Sequence, residues 1–311
     1  MAVDERGRGL PEMTLGEALE KATSRLRRAG VEEPRLEAEV LLAAVSGLTR
    51  PQLLARREYL LAGETVEEYL RLVARRSEGY PLQYLTGCRE FMGLPFKVTP
   101  DVLIPRGDTE VLVEAVLNRA DRDRPWVVAD VGTGSGAIAV SLAYYLPRAF
   151  IYALDISKGA LRVAAENARR LGVAERIRWE EGDLLEPLLK QREVAGAGVD
   201  AVVANLPYIP AGEWEKLPRE VRHEPRLALD GGPDGLDLYR RLLPQAAALL
   251  KPGGLLAVEI GPGQGPAMAQ LAAALGAYTA GEIIKDYAGR PRCFLARRAG
   301  HGGQALFKGG D

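Results

Sequence analysis

Apolar positions in the first part of the chain recur at helical spacing. Leu15, Ala18, Leu19, Ala22 and Leu26 share one face, and Thr14 with Glu17 has the spacing of a capping box that opens this helix. A second periodic stretch, residues 34–46, carries Leu36, Val40, Leu41 and Val45 and ends at Gly47. Thr49 and Gln52 frame another capping box, with Pro51 in a first turn that has no use for its missing N–H. Thr65 and Glu68 frame a third, followed by Val66, Tyr69, Leu70 and Val73 on one side and by Gly79 as a stop. Short amphipathic helices do not stand alone in water, so residues 1–88 are expected to form a small helical bundle.

The period then changes. Residues 81–98 mix short apolar and polar runs around Gly87 and Gly93, which predicts a hairpin anchored by Phe91, Leu94, Phe96 and Val98, with residues 89–105 as a hairpin linker. Asp108 or Thr109 is placed to cap a helix over 110–118. Beyond it, compact apolar runs at 126–131, 150–154, 177–180, 201–204 and 255–260 read as interior strands, with helices at 137–145 and 266–275. Lys251-Pro252-Gly253-Gly254 predicts a turn, and 281–286 with 292–297 a closing hairpin that adds one antiparallel strand. The expected fold is α/β: a Rossmann-like, mostly parallel seven-stranded sheet over residues 106–298, with a disordered tail over 299–311.

The ends of the predicted strands carry the candidate chemistry. Gly132, Thr133, Gly134, Ser135 and Gly136 follow the first strand and open a helix, where backbone amides approach a ligand closely. Such a loop by itself suits a dinucleotide equally well. Asp155 ends the second strand, 23 residues after Gly132, the distance at which an acid binds ribose hydroxyls. Asp183 and Leu184 follow the third strand, in position to hold an adenine edge.

The fourth strand runs into Asn205-Leu206-Pro207-Tyr208, a turn of the (Asp/Asn)-X-Pro-(Tyr/Phe) class. A planar nitrogen is a poor nucleophile, because its lone pair is delocalised. The Asn205 side-chain oxygen and the Leu206 carbonyl offer two acceptors for its two N–H groups, and Tyr208 offers a ring to stack on it. Positioning and fixed dipoles suffice, with no metal and no strong base. No hydride-transfer constellation stands out, so the order of glycine loop, ribose acid, Asp183 and Asn-Leu-Pro-Tyr fits S-adenosylmethionine. Arg106, just before its helix, either reaches a cofactor carboxylate or forms a surface ion pair; His223 reads as structural.

Composition narrows the partners. A net charge of −1, with 47% hydrophobic and 27% charged residues, describes a soluble chain that nothing global draws to nucleic acid or an anionic membrane. The arginine pairs at 27–28, 56–57 and 75–76 read as solvated helix faces. Cys88 and Cys293 have no metal spacing, the first ten residues lack an apolar signal core, and no apolar run reaches about 18 residues. A cytoplasmic monomer is expected.

Several stretches together resemble one family. They are residues 81–87 (Pro-Leu-Gln-Tyr-Leu-Thr-Gly), 104–110 (Ile-Pro-Arg-Gly-Asp-Thr-Glu), 130–136, 205–208, Glu224-Pro225 with the glycine-rich 231–236, and Ala288-Gly289-Arg290. From about residue 12 to 298 the chain resembles the bacterial protein-(glutamine-N5) methyltransferases of the release-factor type, the PrmC/HemK family. The resemblance implies a class I methyltransferase sheet and S-adenosyl-L-methionine as donor, with S-adenosyl-L-homocysteine as product. It also implies a substrate, the glutamine of the Gly-Gly-Gln loop in class I peptide-chain release factors, docked by the helical bundle. By position it makes Asn205, Leu206, Pro207 and Tyr208 catalytic and substrate-binding, with Arg106 beside the substrate. It assigns Gly132, Thr133, Gly134, Ser135, Gly136, Asp155, Asp183, Leu184 and Asn205 to the cofactor.

The chain departs from the family twice: Leu206 and Gly107 stand where proline is usual, which loosens both loops without removing a chemical group. Asn-Leu-Pro-Tyr also occurs in rRNA adenine dimethyltransferases, so an adenine N6 activity on RNA or DNA is the enzymatic alternative, and a catalytically silent release-factor or ribosome binder the other. The near-neutral helical part speaks against nucleic acid. Gly302-Gly303-Gln304 in the tail repeats the inferred target tripeptide, which in so glycine-rich a tail reads as coincidence.

Overall fold

The computed structural model describes residues 12–300, so the N-terminal stretch, most of the predicted tail and its Gly-Gly-Gln tripeptide lie outside the described residues. Two compact units emerge among them: residues 12–88 together with Pro218–His223, and Arg89–Leu217 together with residues 224–300.

In the first unit, helices Leu15–Arg28, Pro34–Ser46 and Gly63–Ser77 share a core in which Leu19, Leu41, Leu42, Tyr69 and Val73 are fully buried. The buried Tyr69 hydroxyl donates to the Ala38 carbonyl at 3.0 Å, which removes the cost of an unpaired polar group. The Thr14 capping box closes as expected: Thr14 N donates to Glu17 Oε2 at 2.8 Å and Glu17 N to Thr14 Oγ1 at 3.2 Å. Thr49 with Gln52 opens Arg50–Ala55 in the same way.

Two expectations fail here. The helix assigned to a cap at Thr65 begins at Gly63, since Val66 N already bonds the Ala62 carbonyl at 3.1 Å and Thr65 falls inside the first turn. The pair Arg75-Arg76 is not a solvated face. Arg76 is 5% exposed and pairs with Glu37 and, at 2.5 Å, with Glu220, while Arg75 lies over the Tyr80 ring at 3.8 Å. Glu220 arrives on a segment 144 residues away, which no local pattern announces.

The second unit is built on seven strands: β1 (Val127–Val131), β2 (Phe150–Asp155), β3 (Ile177–Glu181), β4 (Val199–Ala204), β5 (Leu250–Glu259), β6 (Glu282–Lys285) and β7 (Pro291–Arg297). Their order is β3-β2-β1-β4-β5-β7-β6. β7 runs antiparallel to both neighbours, and the pairs from β3 to β5 are parallel. Successive residues feed opposite cores: Val128, Ala201, Val203 and Ala257 one side, Ala129, Val202, Ala204 and Val258 the other. A sheet covered on both faces needs such unbroken apolar runs. The expected turn at 251–254 is instead a bulge within β5, where Val199 pairs with Leu250 but Ala201 already with Leu255.

The predicted hairpin forms at Cys88–Phe91 and Leu94–Lys97, turning at Met92 and Gly93, both with positive φ. Residues ahead of it make the short helix Leu82–Thr86. Phe91 and Phe96 meet edge to face at 5.9 Å and are buried in the sheet core. The buried Asn167 ties the hairpin to the glycine loop: its Oδ1 accepts Lys97 N at 2.7 Å, and its Nδ2 donates to the Lys97 and Ser135 carbonyls at 2.9 Å each.

The helix expected over 110–118 spans Gly107–Leu117, without a side-chain cap. Asp108 and Thr109 are drawn instead to Arg292 and Glu259, so neither side chain is left to cap. Among the described residues no helix is long and apolar enough to cross a membrane.

Candidate active site

A cavity of about 310 Å³ opens at the carboxyl ends of β1, β2 and β4, where an open α/β sheet places its ligands. It brings together Arg106, Gly132, Thr133, Gly134, Ser135, Asp155, Asp183, Leu184, Asn205, Leu206 and Pro207. Two predicted site residues are not part of its lining: Gly136 and Tyr208. A Cβ on Gly136 would stand 3.0 Å from Ala164, so this position serves helix packing.

The glycine loop is pinned from two sides. Gly132 N and Thr133 N both donate to the Leu154 carbonyl at 2.9 Å, and Gly134 N donates to Asp155 Oδ2 at 2.9 Å. Asp155 Oδ1 accepts Ser157 N at 2.8 Å, and Asp155 is part of the cavity lining. Burial raises the Asp155 pKa, and these backbone N–H bonds pull the other way. Beneath the loop, the fully buried Asp130 accepts Thr133 Oγ1 at 2.7 Å and Ala139 N at 3.1 Å, while burial pushes its carboxyl up to about 7.

The turn after β4 is held by a relay of side chains. Asn205 Nδ2 donates to Thr109 Oγ1 at 3.0 Å, and that hydroxyl donates to Glu259 Oε2 at 2.7 Å. The Tyr208 hydroxyl donates to Glu259 Oε1 at 3.3 Å, so its ring is anchored behind the turn, and burial raises its pKa. Tyr239, fully buried, points its hydroxyl at the carbonyls of Glu259 (2.6 Å) and Leu206 (3.3 Å). Gln264 Nε2 donates to the Tyr208 carbonyl at 3.0 Å. Gly231 and Gly235 press on the same backbone: a Cβ on Gly235, whose φ is +78°, would lie 2.1 Å from the Tyr208 carbonyl oxygen.

Arg106 neither stands free nor forms a surface pair. It binds Glu224, whose side chain is 1% exposed and which also accepts Ile104 N at 2.9 Å. Asp183 pairs with Arg241, another cavity residue, and Leu184 adopts a positive φ of 50°. His223 lies outside the cavity lining and packs its ring 5.2 Å from Tyr80 within the first unit. Sequence reasoning assigned no site role to Thr109, Glu224, Tyr239, Arg241 or Glu259. Glu224, in its Glu-Pro dipeptide, and Thr109, in the 104–110 stretch, lay within motifs the sequence singled out; Tyr239, Arg241 and Glu259 gain their roles from contacts across the fold.

Residues 123–280 match a methyltransferase domain, the class to which this strand order and the glycine loop after β1 already point. The first unit narrows that class, since residues 17–87 match the PrmC N-terminal domain. The chain is 60% identical to the release factor glutamine methyltransferase of Moorella thermoacetica over 92% of its own length and 99% of that protein. It is 48% identical to the enzyme of the same name from Geobacter sulfurreducens (82% and 87% covered), and 40% identical to that of Bradyrhizobium diazoefficiens (91% and 96%). The chain belongs to the release factor glutamine methyltransferase family. With relatives this similar, the adenine and silent-binder alternatives are not favoured.

Proposed function

We propose that the protein transfers a methyl group from S-adenosylmethionine to the side-chain amide nitrogen (N5) of the glutamine in the Gly-Gly-Gln loop of class I release factors, as a cytoplasmic monomer. The observation that carries this reading is the orientation of Asn205. Its amide nitrogen is committed to Thr109, so its Oδ1 remains as an acceptor beside the Leu206 carbonyl. Two acceptors on one short turn match the two N–H groups of a primary amide.

The cavity residues fit the donor. A Cβ at Gly132, where φ is +72°, would crowd Leu206 of the acceptor turn, and the Asp155 carboxylate would accept from ribose hydroxyls. Asp183 and Leu184 line the cavity where they would hold the adenine, and residues 132–135 would offer backbone at a helix N-terminus. When bound, S-adenosylmethionine supplies an electrophilic methyl group on a sulfonium. Asn205 and Leu206 hold the amide so that its nitrogen faces that methyl group, and Pro207 fixes the turn. The Tyr208 ring, tethered through its hydroxyl to Glu259, backs the slot. The first unit is assigned the docking of the release factor, a reading supported by its match to the PrmC N-terminal domain.

The test is peptide mass spectrometry on a purified release factor incubated with the protein and S-adenosylmethionine, beside an Asn205→Ala control. One added methyl on the Gly-Gly-Gln glutamine, dependent on Asn205, is the expected result. Methyl label on rRNA instead would return the adenine reading.

A further inference from the structure

An asparagine side chain has an oxygen and a nitrogen of nearly equal size, and turning it over converts an acceptor into a donor. In the wrong orientation Asn205 would present N–H to the N–H of its substrate. Something must select the productive one. We propose that Glu259 is the positioning residue of the acceptor turn, setting the orientation of Asn205 through the hydroxyl of Thr109. This rests on the functional reading above and deepens it.

The argument is a count of protons. An ionised Glu259 only accepts, so the single proton of Thr109 goes to it, across 2.7 Å. The Thr109 oxygen can then only accept from Asn205, at 3.0 Å, so Asn205 must offer its NH2 there and aim Oδ1 away. A second arm runs from the other carboxylate oxygen to the Tyr208 hydroxyl at 3.3 Å. A third uses the Glu259 main chain, whose carbonyl shares the Tyr239 hydroxyl with the Leu206 carbonyl. One residue at the end of β5 therefore reaches three members of the turn: Asn205, Leu206 and Tyr208.

Glu259 is fully buried, and the groups facing it come from several elements. They are Thr109 and Asp108 on the helix Gly107–Leu117, Tyr208 after β4, Tyr239, and Arg292 with Cys293 on β7. Arg292 favours the ionised form but is shared with Asp108 at 2.8 Å and Asp286 at 3.2 Å. Burial outweighs it and raises Glu259 to about 7. Once protonated, Glu259 can donate to the Thr109 oxygen. The Thr109 proton is then free to turn toward Asn205, and the selection is lost.

Three variants of the full-length protein test this: Thr109→Val, Thr109→Ser and Glu259→Gln. Each nearly preserves shape, and the amide introduced by Glu259→Gln keeps an oxygen that can accept from Thr109. We expect Thr109→Val to lower kcat on the release factor by about 10- to 100-fold, with S-adenosylmethionine affinity unchanged. Thr109→Ser restores most of that loss, and Glu259→Gln flattens the acid limb of the kcat–pH profile. Wild-type kcat in Thr109→Val, equal impairment of the Ser and Val variants, or an unchanged acid limb in Glu259→Gln would each overturn the proposal. The wild type is the control: if it leaves the glutamine unmodified, the functional reading falls and the relay falls with it.

Discussion

Gly132 and Leu206 are fitted to each other across the floor of the cavity: a Cβ built on Gly132 would stand 2.9 Å from Leu206 Cδ2. Gly132 also holds a φ of +72°, so an L side chain meets backbone strain as well as the leucine. We expect Gly132→Ala to weaken S-adenosylmethionine binding by about 10-fold or more, as backbone strain and displacement of Leu206 combine. Calorimetric titration with S-adenosylmethionine checks it, and wild-type affinity would contradict the fit.

Leu206 has a second use. Leu206 is 3% exposed and packs within the core beneath β4, whereas its carbonyl is the part proposed to meet the substrate. Leu206→Ala removes packing and keeps the carbonyl. It should cost about 2–4 kcal/mol of stability, seen as a lowered thermal midpoint, with a far smaller effect on kcat at a temperature where the variant is folded.

Arg106 and Glu224 form one unit with the Ile104 backbone. Removing either partner leaves a nearly buried carboxylate unpaired or a guanidinium without its anion. Glu224→Ala and Arg106→Ala should each destabilise by about 1–3 kcal/mol, the half-exposed Arg106 being discounted for solvent screening. The double variant should lose less than the two together, by a coupling of about 0.5–3 kcal/mol. Urea unfolding of the four proteins measures it, and strict additivity would show that the pair is not coupled.

Asp130 and Glu259 give the stability a pH dependence of known sign. Both carboxyls are raised to about 7 by burial, above their values of 3.8 and 4.5 in the open chain. Between those values the folded protein binds more protons than the unfolded chain, so stability falls as pH rises from about 4.5 through 7. Thermal midpoints measured from pH 5.5 to 8.5 should decline, other groups held equal. Asp130→Asn should flatten that slope, since Asn keeps an acceptor for Thr133 and Ala139 but cannot ionise. A midpoint rising over this range in the wild type but not in Asp130→Asn would reverse the assignment.

Much of this protein was legible because it depends on bonds within a few residues or on simple alternation of burial. The capping boxes at Thr14 and Thr49, the stop at Gly47, and the passage from β1 through the glycine loop into Ala137–Tyr145 are of that kind. So are the apolar runs of β2 and β4 and the polar turn at Asn205, because a strand buried on both faces must be apolar and its end must carry whatever meets the ligand.

What remained hidden depends on partners far along the chain. Thr109 could not be told from a helix cap without Glu259, 150 residues on, nor Arg106 from a surface cation without Glu224, 118 residues on. Arg76 read as one more solvated arginine until Glu220 came back to meet it. The sequence alone determined the strands of the sheet, their order along the chain and the residues at their ends, since hydrogen bonding and burial act locally there. Only the tertiary structure decided which polar groups face one another in the interior. There a hydroxyl's single proton and a buried carboxylate's charge set the direction of the bond from Asn205 to Thr109, and the pairing is a property of the packed core.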